Sequence, residues 1–470
     1  MDSELLAEAI DLLLGERDLY NIHSMTLVRH GHLVADVYFY PYQPGDRHRL
    51  SSTGKVFTSA VVGLAIDQGY IAGVNERVID FFPDRTIANL SQWKRAMTIE
   101  HLLTMTSGLG GVLPYEDEAD ELDESSDPVQ YALDLPMTSQ PGTVWRYSNP
   151  NAFLLSAIIT QATGRSALDF AAEHMFGPLG IIEPLWDQQV PGITDGTGGV
   201  MLTPHDLAKF GQLFLQEGEW EGNQILSRAW VTTSTTPHHE NGYCYIWDWN
   251  ADLGFFCGGG SGGQRLVVVP ALDLVAAFTG GGYAHEDIER IYLEALSSYV
   301  FPAVESEGAL PPNPAGTALL AGAVSRAAAS DQQPHPVDPL PAMASQVSGR
   351  TYAMDPPIGA MNVVLSFPTN DEARLAIAAT PDIVEGSPFE LAAGLDGVYR
   401  FARGTHGMLA AGTGGWQDEA TFVMEVDLLG NQKPFRFTLA FEGDGVVMTV
   451  EDLDYWRPDP PLVFTGTAAN

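Results

Sequence analysis

The chain predicts an α+β unit followed by a small antiparallel β unit, and three observations carry that expectation. Strand-like runs stand early, as "SMTLVRHG" and "HLVADVYFY", and again late, as "GYCYIWDWN", "LGFFC", "QRLVVVP" and "LDLVAAFTG". The stretch between them, to about residue 230, reads mostly as helices. Beyond a Pro-rich break, residues 343–470 alternate in short apolar runs. An antiparallel sheet built from both ends of a unit, flanked by helices and enclosing an all-helical region, is the α+β arrangement.

Taken in order, residues 3–15 carry an apolar stripe at helical spacing, and the two early strands meet at a Gly turn. "SSTGKVFTSAVVGLAIDQGYI" is a long apolar helix, and "HEDIERIYLEALSSYV" closes the unit as another. Residues 302–342 change character: "PPNPAG" and "DQQPHPVDPLP" bracket an Ala-rich helix. That composition divides the chain into a unit over 1–301, a linker with a helix over 302–342, and a β unit over 343–470. The last part repeats runs such as "MNVVLSF", "TFVMEVDL" and "GVVMTVED" about every ten residues between Gly, Asp and Asn turns, the pattern of a small barrel or sandwich. The acidic stretch 116–127 holds eight carboxylates in twelve residues. It reads as a solvated loop, with a cation site or lid as the sharper alternative.

A length of 470 residues favours two domains, and 45% apolar residues with 48 glycines is globular composition. The net charge of −37 argues against nucleic acid and against an anionic membrane surface, since both need clustered Lys and Arg. No apolar run reaches about 18 residues, so no membrane span is expected. The N-terminus lacks a basic start and a small-residue cleavage site. As written the chain is expected to be cytoplasmic; with a leader removed, a periplasmic or secreted protein is the expectation. Cys244 and Cys257 offer neither a disulfide framework nor zinc spacing, and read as buried free thiols. Oligomeric state is left open, a dimer included.

The chemistry starts at "HRLSSTGKVF". Ser51 and Ser52 lie four and three residues before Lys55, and either spacing puts hydroxyl and ammonium on one helix face. A serine hydroxyl needs a base within hydrogen-bond reach, and a lysine serves when burial or nearby charge makes its proton easy to lose. The chain has only four lysines against nineteen arginines, yet keeps one inside this apolar run. A serine at a helix N-terminus also points its backbone N–H outward, ready for an oxyanion. Geometry alone leaves both serines open. Two further segments join in: "WRYSNPN", a Y-x-N triplet of Tyr147 and Asn149 before a helix, and "CGGGSGGQRLVVVP", whose glycines let a strand approach a substrate closely.

These segments, with "MTIEHLLTMTSGLGG" and "GGVMLTPHDLAKFGQLFLQEGEW" between them, resemble the serine β-lactamase and penicillin-binding protein superfamily over roughly residues 20 to 300. The likeness is nearest its class C-like branch, with 6-aminohexanoate-dimer hydrolases, family VIII-type carboxylesterases and D-amino-acid peptidases. It implies a β-lactamase/transpeptidase-like fold, with the C-terminal strands as an accessory β unit. It also implies a serine hydrolase that cleaves a small-molecule ester or amide through an acyl-enzyme, with no cofactor and no metal. Carried over by position, Ser52 is the nucleophile, Lys55 its proton acceptor and Tyr147 the other half of the acid–base pair. Asn149 orients substrate or lysine, and the backbone around Gly260, Ser261 and Gly262 supplies the oxyanion hole together with Ser52. Ser51 is left as a capping hydroxyl.

One departure bears on substrate. Many relatives carry Lys or His two residues before the motif glycine; here the run is Gly258-Gly259-Gly260. Loss of that cation counts against β-lactam antibiotics and favours a neutral substrate, or one held by an arginine elsewhere. A β-lactamase or D-amino-acid peptidase and a catalytically silent binding relative stay as alternatives. Tyr243, Tyr245, Trp247 and Trp249 alternate ahead of this motif, which admits core packing or the lining of an apolar acyl pocket. Gly259–Gly263 also fits G-x-S-x-G, but that elbow requires a following helix where this sequence is strand-like. His238 and His239 lack the spacing of a metal pair, and His101 reads as a structural helix residue.

Overall fold

The computed structural model describes residues 1–111, 115–282, 285–330, 332–356, 359–380, 387–404, 408–430, 433–453 and 460–469. Asp2 caps helix α1 (Ser3–Tyr20) by accepting from the amides of Glu4 and Leu5. Strands β1 (Ile22–Arg29) and β2 (His32–Tyr38) follow, joined through His30 and Gly31, both at positive φ, the two-residue turn that suits strand twist. Helices α2 (Lys55–Asp67), α3 (Asn149–Thr163) and α4 (Pro204–Leu215) dominate the middle. Strands β3 (Asp248–Asn250), β4 (Phe255–Gly260), β5 (Gln264–Val269) and β6 (Leu274–Gly280) then return to the sheet. Helix α5 (His285–Ala295) and helix α6 (Pro314–Ala327) complete this part.

The sheet order is β3-β4-β5-β6-β1-β2, antiparallel throughout, so the two early strands add to the late ones as the sequence predicts. Both faces are covered. Leu266, Val268, Val275 and Ala277 face the core that contains α2, α3 and α4. Their alternates Val267, Val269, Ala276 and Phe278 face α1, α5 and α6. The Ala-rich helix α6 is therefore packed: Ala323 and Ala327 are buried, and Arg326 pairs with Asp11 of α1 at 2.6 Å.

The last part is a closed β-barrel. Its strands are β7 (Arg350–Met354), β8 (Met361–Thr369), β9 (Glu372–Ala379), β10 (Phe389–Gly394), β11 (Arg400–Arg403), β12 (Leu409–Trp416), β13 (Thr421–Leu428), β14 (Lys433–Glu442), β15 (Gly445–Asp452) and β16 (Leu462–Ala468). Nine of them close the ring in the order β10-β9-β8-β7-β16-β15-β14-β13-β12, while β11 pairs outside it with β12. An odd ring of otherwise antiparallel strands needs one parallel join, and β10 meets β12 in parallel at Gly394 and Thr413. Small residues permit the closure: a Cβ on Gly412 would stand 2.3 Å from the Ala392 carbonyl oxygen. The barrel-or-sandwich expectation thus resolves as a barrel. Strands β10, β12 and β16 are the ones the sequence reading missed. "MLAAGTGGW" in particular is mostly alanine and glycine, with only Thr413 and Trp416 of the β-branched and aromatic kinds that mark a strand.

Two other expectations change. The acidic stretch is not a loop: Tyr115–Glu124 is helical, and Glu118 is buried against Arg146 at 2.7 Å. "GYCYIWDWN" is strand only from Asp248, because Ile246 turns to φ +70° and breaks the alternation. Among the described residues no helix is long and apolar enough to cross a membrane.

Barrel and sheet meet beside the segment that leads into α2. Arg49 donates its amide to the Gly430 carbonyl at 2.6 Å, and Tyr42 packs with Ala411 and Leu429. Tyr42 stacks on His23, whose Nδ1 lies 3.3 Å from Nδ1 of His48. Burial pushes the His48 imidazole down to about 3 and depresses His23 too, the His48 ring adding to the effect. Below pH 6.5 the unfolded chain takes up a proton at residue 48 that the folded chain refuses until about 3, so stability is lost as pH falls through 6.5. Half-buried Asp427, lifted to about 6 by desolvation, acts in the opposite sense, so the histidine is isolated by comparison with a variant. From pH 7 to 5 the stability gap between wild type and His48→Asn should move by about 2 kcal/mol in favour of the variant, read by chemical denaturation. A gap that does not change with pH would show that His48 is charged in the fold.

Candidate active site

The serine pair sits on a 3₁₀ turn, Ser51–Gly54, that runs directly into α2. Leu50 holds the cap position of that turn and makes no side-chain cap bond, so the capping role expected for Ser51 is not where the structure puts it. Ser51 instead takes φ +47°, which a non-glycine residue adopts only when its surroundings impose it. The surroundings are close: a Cβ on Gly198 would lie 3.0 Å from the Ser51 carbonyl oxygen, and one on Gly54 would lie 3.1 Å from the Gly198 backbone.

Lys55 is 1% exposed, and its Nζ donates to Ser52 Oγ at 2.9 Å and to the Thr197 carbonyl at 2.5 Å. The loop that carries Thr197 is fixed from within. Asp195 accepts from the Thr197 amide at 2.8 Å and from its hydroxyl at 2.7 Å. Trp186 Nε1 donates to the carbonyls of Asp195 and Gly198 at 2.6 and 2.8 Å. Sequence reading missed Thr197, since a backbone carbonyl leaves no residue signature.

Tyr147 precedes α3 and hydrogen-bonds Ser52, and its ring centroid is 5.1 Å from Lys55 Nζ. Burial raises its phenol well above the ordinary range, nearby Asp248 adds to that, and the Ser52 bond opposes it. Tyr147 is therefore a neutral phenol at rest. Asn149 opens α3 and lines the same cavity as Ser52 and Lys55. Ser261 follows β4 in a short turn with Gly262 at φ +76°. The strand–turn–strand course from Phe255 to Val269 removes the G-x-S-x-G elbow, which needs a helix there.

The glycines of β4 bring it onto the serine turn. A Cβ on Gly260 would stand 2.5 Å from the Leu50 carbonyl oxygen, and one on Gly258 2.9 Å from Val56 Cγ1. Because β3 pairs only with Phe255–Cys257, the outer edge of Gly258–Gly260 has no strand neighbour among the described residues. Two cavities share Ser52 and Ser261. One, about 900 Å³, is lined by Arg49, Asp123, Asn149, Thr197 and, from the barrel, Met408. The other, about 470 Å³, is lined by Tyr147, Asp248, Cys257, Gly259, Arg265 and Glu289.

The aromatic pocket residues belong elsewhere. Tyr243, Tyr245 and Trp247 are buried in the helical core; Trp247 packs on Phe210, Phe214 and Phe256, and the Tyr245 hydroxyl bonds Glu100. Core packing prevails, and of the four only Trp249 reaches a cavity that Ser52 lines. His101 caps its helix with Thr98, and His238 stacks on Tyr245. Cys244 and Cys257 are free and buried, as expected.

Comparison with known proteins shows the family and the fold. The family described as Beta-lactamase matches residues 22–297. Penicillin-binding protein 4 of Amycolatopsis lactamdurans is 28% identical over 322 residues, covering 58% of this chain and 83% of that protein. The 6-aminohexanoate-dimer hydrolase of Paenarthrobacter ureafaciens is 25% identical over 287 residues, covering 54% and 70%. The crystal structure of SurE superposes with a TM-score of 0.51 at 18% identity, covering 91% of this chain and 98% of that one, so the likeness in fold extends through the barrel.

Proposed function

The chain belongs to the Beta-lactamase family, whose members include serine hydrolases, and from that premise we propose that it hydrolyses a small ester or amide by acyl transfer through Ser52. The observation that carries the reading is the contact of Ser52 Oγ with both Lys55 and Tyr147. Lys55, as the free amine, takes the serine proton while the Thr197 carbonyl holds one of its N–H groups in place. Ser52 Oγ bonds to the substrate carbonyl, and the amides of Ser52 and Ser261 receive the oxyanion. Tyr147, a neutral phenol, hands a proton to the leaving group and recovers it from Lys55. Water then enters, gives a proton to the same pair and bonds to the acyl carbon; the bond to Ser52 Oγ breaks, Oγ takes that proton and the acid leaves. Asn149 orients the substrate. In this reading 1–301 is the catalytic unit, 302–342 the connection and 343–470 an accessory barrel that reaches the site through Met408.

Intact-mass analysis after a fluorophosphonate probe tests this. One adduct is expected on wild type and on Ser51→Ala, and none on Ser52→Ala. Labelling of Ser52→Ala, or none of wild type, would overturn the assignment.

A further inference from the structure

The missing cation of the third motif leaves a specific electrostatic situation in the smaller cavity. Val56 fills the space beside Gly258, and the cavity's arginine, Arg265, lies instead across from Gly259 on β5. Arg265 is already engaged. Its Nη2 pairs with Glu289 at 2.9 Å, its Nη1 donates to Cys257 Sγ at 3.5 Å, and its side chain is only 13% exposed. A Cβ on residue 259 would fall 2.8 Å from Nη1, so the glycine is what lets the guanidinium lie flat against the strand. Held this way, Arg265 and Glu289 cancel.

Asp248 has no such partner. It is open to the cavity, and among the described residues no side chain lies within ion-pair or hydrogen-bond reach of its carboxylate. The protein around it raises its carboxyl above the ordinary range, Arg265 opposing the rise and Glu289 adding to it, although the residue itself is exposed to the cavity. Across both cavities the carboxylates are Asp123, Asp187, Asp195, Asp248 and Glu289; of the basic groups, Arg49 and Arg265 are each tied to one of them and Lys55 is held by Ser52 and the Thr197 carbonyl. A chain of net charge −37 surrounds this site, so its field draws cations in and turns anions away.

We propose that the cavity lined by Asp248, beside Ser52 and Tyr147, receives a positively charged group of the substrate, an ammonium or a guanidinium. The substrate is then a cationic ester or amide rather than a neutral one, an inference that rests on the acyl-transfer reading above. The ion pair formed with Asp248 supplies the charge balance that the cavity lacks, and the fixed Arg265–Glu289 pair bounds it on the side of α5.

Two pairs of isosteric esters test this, one with the charge on the acyl part and one with it on the leaving group. The first is p-nitrophenyl 5-(trimethylammonio)pentanoate against p-nitrophenyl 6,6-dimethylheptanoate; the second is butyrylcholine against 3,3-dimethylbutyl butyrate. In at least one pair kcat/KM should favour the cation by about tenfold or more, a typical return for one partly desolvated ion pair. Asp248→Asn should bring that ratio close to one. Asp248→Lys should turn the preference towards the anionic mono-p-nitrophenyl adipate. If uncharged esters are hydrolysed and Ser52 takes up the fluorophosphonate, yet neither pair favours the cation or Asp248→Asn leaves the ratio intact, the cation site is wrong and acyl transfer stands. If no ester is hydrolysed and no label is taken up, the acyl-transfer reading fails and this inference with it.

Discussion

Replacing Lys55 with methionine should lower kcat/KM for a short p-nitrophenyl ester by about 10³-fold or more, because a positioned proton acceptor contributes about 10²–10⁴. Methionine keeps the length of the buried Lys55 side chain, so the loss would not come from a cavity. Its cost to stability is the Thr197 carbonyl left without its donor, about 1–3 kcal/mol. Ser52→Ala should cost at least as much activity. The double variant should be no slower than the slower single one, since the two groups act on one proton and their effects do not add. A Lys55→Met enzyme with more than a tenth of wild-type activity would hand the base role to Tyr147 alone.

How far this site was legible in the sequence depends on what kind of group each function uses. Ser52, Lys55 and Tyr147 are side chains in a fixed order, so a pattern finds them. Thr197 acts through its carbonyl, and its position is set by Asp195 and Trp186, none of which a motif records. Asp248 was visible only as the polar interruption of an aromatic run. The run left core packing and a pocket lining both open for Tyr243, Tyr245 and Trp247; the chain turns at a left-handed Ile246 and all three lie in the core. The sheet followed from β-branched runs buried on both faces. The barrel's closing strands did not, because closure there needs alanine and glycine where β10 meets β12, and those residues carry no strand signal.

Gly260→Ala should cost nearly as much activity as losing an oxyanion donor, about 10²–10³ in kcat, with only a small change in melting temperature. The added methyl would stand 2.5 Å from the Leu50 carbonyl oxygen, 2.9 Å from the Thr53 amide nitrogen and 3.0 Å from Thr53 Oγ1. Two of those three atoms are backbone of the serine turn and cannot rotate aside. Either β4 withdraws or the turn shifts, and both moves separate the Ser52 amide from the Ser261 amide that follows β4. A misplacement of about 1 Å at reacting groups is worth about 10²-fold. The core on either side of β4 is untouched, since Phe255, Phe256 and Cys257 anchor the strand at its other end. Fluorophosphonate labelling should therefore slow by a factor similar to that for ester hydrolysis, because both reactions build charge on an oxygen at the same place. Equal slowing places the damage at the oxyanion site. Hydrolysis at the wild-type rate would mean that the strand has room to retreat, and that the close approach of Gly260 to the turn serves packing and not catalysis.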